Sequence, residues 1–246
     1  MKLLNGATLR TLQFGSMALA TSALVACGGG SSNGSSPGAT ISGTAAVGAA
    51  MANASVVLTC KNGAGSATAN ASGAYSATFQ FDGPCAITAS SGATALHSFA
   101  AGAGTYNVTP LTELLLSYLA GQLGTTVSGL LSGISNNTTF QSALSNTTVI
   151  ANAQAAVAQQ IKTLYGITLS SSSFLTVSFT PGQPGADADL DALKTAGAIT
   201  ANGQPAASLI TAVTAAGKAA PISGGNNGGG TTGGTGGSGG TGTTTK

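Results

Sequence analysis

Between Ala39 and Val108 the apolar positions come in short bursts with a period of two. Val56-Val57-Leu58-Thr59 is β-branched, and Ala74 to Phe81 brings Tyr75, Ala77, Phe79 and Phe81 onto one face. Cys85-Ala86-Ile87-Thr88 and Tyr106-Asn107-Val108-Thr109 read the same way. Turn signals separate them at Asn62-Gly63, Ser72-Gly73, Asp82-Gly83-Pro84 and Ser91-Gly92. Short strands spaced like this predict an antiparallel β-sandwich. After Thr109 the period changes. Thr109 is a natural N-cap with Pro110 at the first helical position, and Leu111, Leu114, Leu115, Tyr118 and Leu119 then recur every three or four residues. Glu113 in the first turn suits the helix dipole. A second helix is predicted from Val149 to Tyr165, stopped by Gly166, with Ile150, Val157, Ile161 and Leu164 on one stripe. Shorter ones follow from Asp189 to Ala196, stopped by Gly197, and from Pro205 to Ala216, stopped by Gly217. Leu114 to Ile134 is apolar enough to resemble a membrane span, but Gly121, Gln122, Gly124 and Thr125 within it predict two amphipathic helices instead. The expected fold class is α+β, with a β-sandwich over 39–108 and a small helical domain over 109–223.

The two ends read differently. Lys2 and Arg10 form a basic region, the stretch from Thr11 to Ala26 carries no charge, and Leu24-Val25-Ala26-Cys27 closes it. This has the length and layout of a secretory signal rather than of a spanning helix. Its end resembles the lipobox of bacterial lipoprotein precursors. That resemblance implies cleavage before Cys27 and acyl chains on its sulfur and new amino group, anchoring the protein to a lipid bilayer. Gly28 is not the acidic residue that resembles an inner-membrane retention signal, so the outer membrane is the expected address. Residues 27–38 are expected to be a flexible tether. Gly224 to Lys246 is almost all Gly, Thr, Ser and Asn, a composition expected to be disordered. Gly236-Gly237-Ser238-Gly239-Gly240 there fits the G-x-S-x-G pattern only through composition.

Within the strand region, Ile41-Ser42-Gly43, Asn53-Ala54-Ser55-Val56-Val57-Leu58, Asn70-Ala71-Ser72-Gly73-Ala74-Tyr75 and Cys85-Ala86-Ile87-Thr88 together resemble the carboxypeptidase regulatory-like domain. That family has a prealbumin-like β-sandwich in which a glycine closes a hairpin and the aromatic after it enters the core. Here Ala52 and Asn53 stand where the family has Pro and Gly, and Asn70 where it has a Thr-Asp turn. The resemblance implies a structural or accessory module rather than a catalyst.

Charge narrows the partners. The chain has 7 Lys+Arg and 5 Asp+Glu, and only 5% of residues are charged. With Lys2 and Arg10 removed the balance is near zero, which excludes the basic stripe that nucleic acid requires and a polybasic membrane-surface mode. With Cys27 lipidated, Cys60 and Cys85 remain as an even pair in an oxidising compartment, and a disulfide is expected between them with Cα atoms about 5.5 Å apart. His97 is the sole histidine and reads as a strand residue without a catalytic partner. Asp187, Asp189 and Asp191 alternate as at the start of a calcium loop. Ala192 and Ala198 stand where that loop needs Gly and Glu, and a helix start enriched in Asp explains the run without a metal. Glu113 and Asp82 lie in different predicted elements, and the Asn-x-Thr pattern at Asn107 is one of several expected by chance. No cofactor motif is present. The expectation is an outer-membrane lipoprotein with a structural or binding role and no catalytic site, serving an envelope protein partner or ligand. The alternatives are an envelope hydrolase or accessory enzyme subunit, and an adhesin-like surface module.

Overall fold

The structure, a computed structural model, describes residues 38–222; the expected signal segment, Cys27, the tether to Pro37 and the Gly/Thr-rich tail lie outside the described residues. The fold is mixed α+β. Strands β1 (Ala39–Thr44), β2 (Ser55–Asn62), β3 (Ala64–Thr68), β4 (Ala74–Phe79), β5 (Asp82–Ser91), β6 (Thr94–Ala100) and β7 (Gly104–Thr105) come first. Helices α1 (Pro110–Gln122), α2 (Val127–Ser132), α3 (Thr138–Ser145), α4 (Thr147–Tyr165), α5 (Ala186–Thr195) and α6 (Ala207–Ala219) follow.

The strands form two sheets. One has the order β3-β2-β5-β6 and is antiparallel throughout; the other has the order β4-β1-β7. The second sheet departs from the expected all-antiparallel arrangement, because β7 returns alongside β1 in the same direction. β2 alternates as its sequence requires, with Val56, Leu58 and Cys60 buried and Ser55, Val57 and Thr59 exposed. Ile41, Tyr75 and Ala77 from one sheet and Val56, Leu58, Ile87 and Leu96 from the other belong to one apolar cluster.

Three local expectations are corrected. Asp82-Gly83-Pro84 is not a turn but the start of β5, where Asn62 Nδ2 donates to Asp82 Oδ2 at 2.8 Å beside an irregularity in the β2–β5 register. Residues 106–109 form no regular strand; Val108 makes a single parallel bridge to Ala45, and the Asn107 N–H is drawn away to Leu175 O. The turn at Asn70–Gly73 does not close a hairpin, because β3 and β4 lie in different sheets. It carries the chain across, with Asn70 Oδ1 accepting from Ser72 N and Ala74 N, and Gly73 at φ 79°.

Helix α1 begins as its sequence predicts, with Thr109 and Thr112 forming a capping box ahead of Pro110. It is not amphipathic. Leu111, Leu114, Leu115, Leu116 and Leu119 are all buried, since the helix is packed against β6, α2, α4 and α6 at once. Its crossing with α6 depends on two glycines. A Cβ on Gly217 would overlap the carbonyl oxygen of Tyr118, and one on Gly121 that of Thr214. Gly217 is therefore a crossing point inside α6, not the stop its sequence position suggests. α4 is capped by Asn146 and ends at Gly166 (φ 71°), with Ile150, Val157 and Ile161 buried. Leu164, expected on the same stripe, sits in the last turn and is 50% exposed. Among the described residues no single helix is long and apolar enough to cross a membrane. α1 and Val127–Ser135 pass that test only as a pair bent by 84°.

Candidate functional site

The face of the four-stranded sheet that turns away from β1 is covered unevenly. Ala86 and Phe99 on this face are buried among the helices, whereas Val57 is 48% exposed. Thr88 and His97, paired across β5 and β6, sit at the boundary, where the helical cover stops. The result is a cleft of about 470 Å³. Its floor is Thr59, Ala86 and Thr88 of the sheet, and its wall is Val127, Ser128, Leu131 and Ser132 of α2.

His97 and Glu113 close one side of it. β6 is the last strand of its sheet, and α1 begins shortly after it, so the first turn of the helix returns over the strand edge. Glu113 Oε2 accepts from His97 N at 2.7 Å and lies 3.0 Å from His97 Nδ1; Oε1 lies 3.3 Å from the same nitrogen. Thr112 Oγ1 donates to His97 O at 2.9 Å. Both backbone groups of His97 are thus taken up by α1. The bond to Glu113 raises the His97 pKa above its ordinary 6.5; partial burial opposes this, and the carboxylate charge adds to it. With Nδ1 facing the carboxylate, Nε2 is the ring atom left for the cleft. The ring is 33% exposed, the carboxylate behind it 13%. His97 lies in a strand, as expected, and the fold sets beside it a carboxylate that its place in the sequence did not announce.

The other candidates are dispersed. Cys60 and Cys85 are bonded, as expected, and directly opposite in the β2–β5 register; their Cα atoms are 3.7 Å apart, closer than the expected spacing. Asp187 is buried and accepts from Gly182 N at 2.7 Å, while Asp189 accepts from Ser170 N and Oγ. Asp191 is exposed, one turn on from Asp187 on the same side of α5, while Asp189 points the other way. Residues two apart on a helix point about 200° apart, so the three carboxylates do not converge. Among the described residues no group of three His, Cys, Asp or Glu could hold a metal ion. Asp82 bonds Asn62, far along the chain from Glu113.

Two polar residues carry structural roles that their patterns did not announce. Asn107 is fully buried, with Oδ1 accepting from Thr44 N and Nδ2 donating to Phe174 O and Val177 O. Tyr75 donates its buried hydroxyl to Tyr106 O, and burial, with Tyr106 beside it, holds its pKa well above the ordinary tyrosine value.

No protein-family model, no curated protein and no solved structure matches the chain.

Proposed function

We propose that this chain is an exported bacterial envelope lipoprotein, held at the outer membrane by acyl chains on Cys27, with a structural or ligand-binding role. In this reading the two sheets are a prealbumin-like sandwich of the carboxypeptidase regulatory-like kind. The supporting observation is the buried Cys60–Cys85 disulfide, a bond that persists in oxidising compartments beyond the inner membrane. Asn53 adds to it. It adopts φ 57°, a conformation natural to glycine, at the position where the resembled family has Gly. The decisive experiment is membrane fractionation of Cys27→Ser. One acyl chain binds a bilayer marginally and two bind stably, so the variant should leave the membrane fraction; persistence there refutes the anchor.

The His97–Glu113 pair favours the competing reading, an envelope hydrolase, because a carboxylate-oriented imidazole is the arrangement of a general base. Folded His97→Ala and Glu113→Gln variants separate the two. An unchanged cellular phenotype supports the non-catalytic reading, and loss of a measured hydrolytic activity supports the enzyme.

A further inference from the structure

The cleft at His97 has a charge balance that discriminates among ligand classes. Its lining contains one carboxylate, Glu113, and no lysine or arginine. Both Glu113 oxygens lie within hydrogen-bonding distance of His97 Nδ1, so the carboxylate is not free to receive a cation. The pair is neutral when the ring is protonated, which leaves no net positive charge to draw an anion. What faces the space is Nε2 of His97, for which the described residues supply no partner, and the hydroxyls of Thr59, Thr88 and Ser128, with that of Ser132 donating to Gly129 O and left to accept. Hydroxyls both donate and accept, and Nε2 does one or the other according to protonation. Beside them lies an apolar strip of Val127 and Leu131.

We propose that this cleft binds a neutral polyhydroxylated ligand, one or two sugar rings of a saccharide, with His97 Nε2 and the surrounding hydroxyls bonding its hydroxyl groups and Leu131 meeting its C–H face. The volume lies in the range of small-molecule sites, roughly 300–1,000 Å³. The lining has no Phe, Tyr or Trp, so recognition rests on hydrogen bonds and the affinity is modest, with Kd on the order of millimolar. The inference rests on the binding reading above but not on the lipid anchor, so Cys27→Ser and the titration below fail independently.

The chain has one histidine, so its imidazole resonances report on a single residue. Untagged full-length protein with its disulfide intact is titrated with maltose, galactose and N-acetylglucosamine, and in parallel with acetate and with Zn²⁺. The expected result is saturable movement of the His97 imidazole and the Thr88 and Leu131 amides with at least one saccharide. His97→Ala should weaken that binding about tenfold, followed through the two amides. Ser128→Trp, a change at an exposed rim position that fills the cleft, should abolish the shifts while the disulfide and circular dichroism stay native. The proposal is overturned if no saccharide moves these signals, if acetate or Zn²⁺ moves them more than any sugar does, or if Ser128→Trp leaves the sugar response intact.

Discussion

Asn107→Ala is the substitution from which the largest structural loss is expected. Its side chain joins β1, the segment leading into α1, and residues 174–177. Oδ1 accepts from Thr44 N at 3.2 Å, and Nδ2 donates to Phe174 O at 3.2 Å and Val177 O at 2.7 Å. Alanine removes all three bonds and leaves three backbone groups without partners in or near the interior. Each such group costs about 1–3 kcal/mol. Val177 is only half-buried, so water can reach its carbonyl, and the total falls nearer the lower end, about 3–5 kcal/mol. Against a typical domain stability of about 5–15 kcal/mol this is a large fraction. Asn107→Asp is the informative companion. It keeps the acceptor for Thr44 N but sets an oxygen against two carbonyls, so it should be at least as damaging at neutral pH and partly recover when the carboxyl protonates. The assay is urea unfolding followed by far-UV circular dichroism, with the disulfide intact. The m-value should stay constant while the midpoint falls. A loss below about 1 kcal/mol at unchanged m would refute the assignment of these bonds as a tie between the segments.

Four further outcomes are expected. Gly217→Val forces α6 away from Tyr118 and should cost about 1–3 kcal/mol by thermal unfolding, with the same sign for Gly121→Val. Replacing Cys60 and Cys85 together by alanine should lower stability by about 3 kcal/mol, the chain-entropy value for a bridge with 25 residues of separation; an unchanged urea midpoint would contradict it. The folded-state pKa of His97 is raised, so the stability it contributes is fully present below its unfolded value of about 6.5 and is lost as pH rises through the folded value. Melting temperature should therefore decline as pH rises above about 6.5 in the native protein, and the decline should be shallower in Glu113→Gln. Ser98 Oγ is buried without a partner among the described residues, so Ser98→Ala should be stabilising by up to about 1 kcal/mol, read from the urea midpoint.

What could be read from the residues followed the range of the forces involved. The β-branched strand at Val56–Thr59 and the Thr109-Pro110 start of α1 depend on neighbours within a few positions, and both are where their patterns put them. Asn107 depends on partners 67 and 70 residues away, so nothing near it in sequence distinguishes a buried hub from a chance Asn-x-Thr. α1 was legible in existence but not in burial. Leu114-Leu115-Leu116 already spans about 200° of helix surface, too wide for a single apolar face. Gly217 shows the opposite difficulty. A glycine near a helix end has two readings, a stop or a close crossing, and only the position of Tyr118 on the neighbouring helix decides between them. The His97–Glu113 pair lay between these cases, since its two halves were predicted in the right elements but the angle between strand and helix was not.

The way α1 grips β6 bears on how the open edge of this sheet is protected. A terminal strand offers unpaired N–H and C=O groups to any other chain, and many proteins deter that contact with lysines along the edge. This chain, with 5% charged residues, has few to spare. It occupies the edge instead. Glu113 and Thr112 take the N–H and carbonyl of His97, and Gln204 Nε2 donates to Ala95 O. A helix start and one loop thereby use up hydrogen-bonding positions that would otherwise template strand addition, so protection against edge-to-edge aggregation here is a matter of pairing rather than repulsion and should persist at high salt.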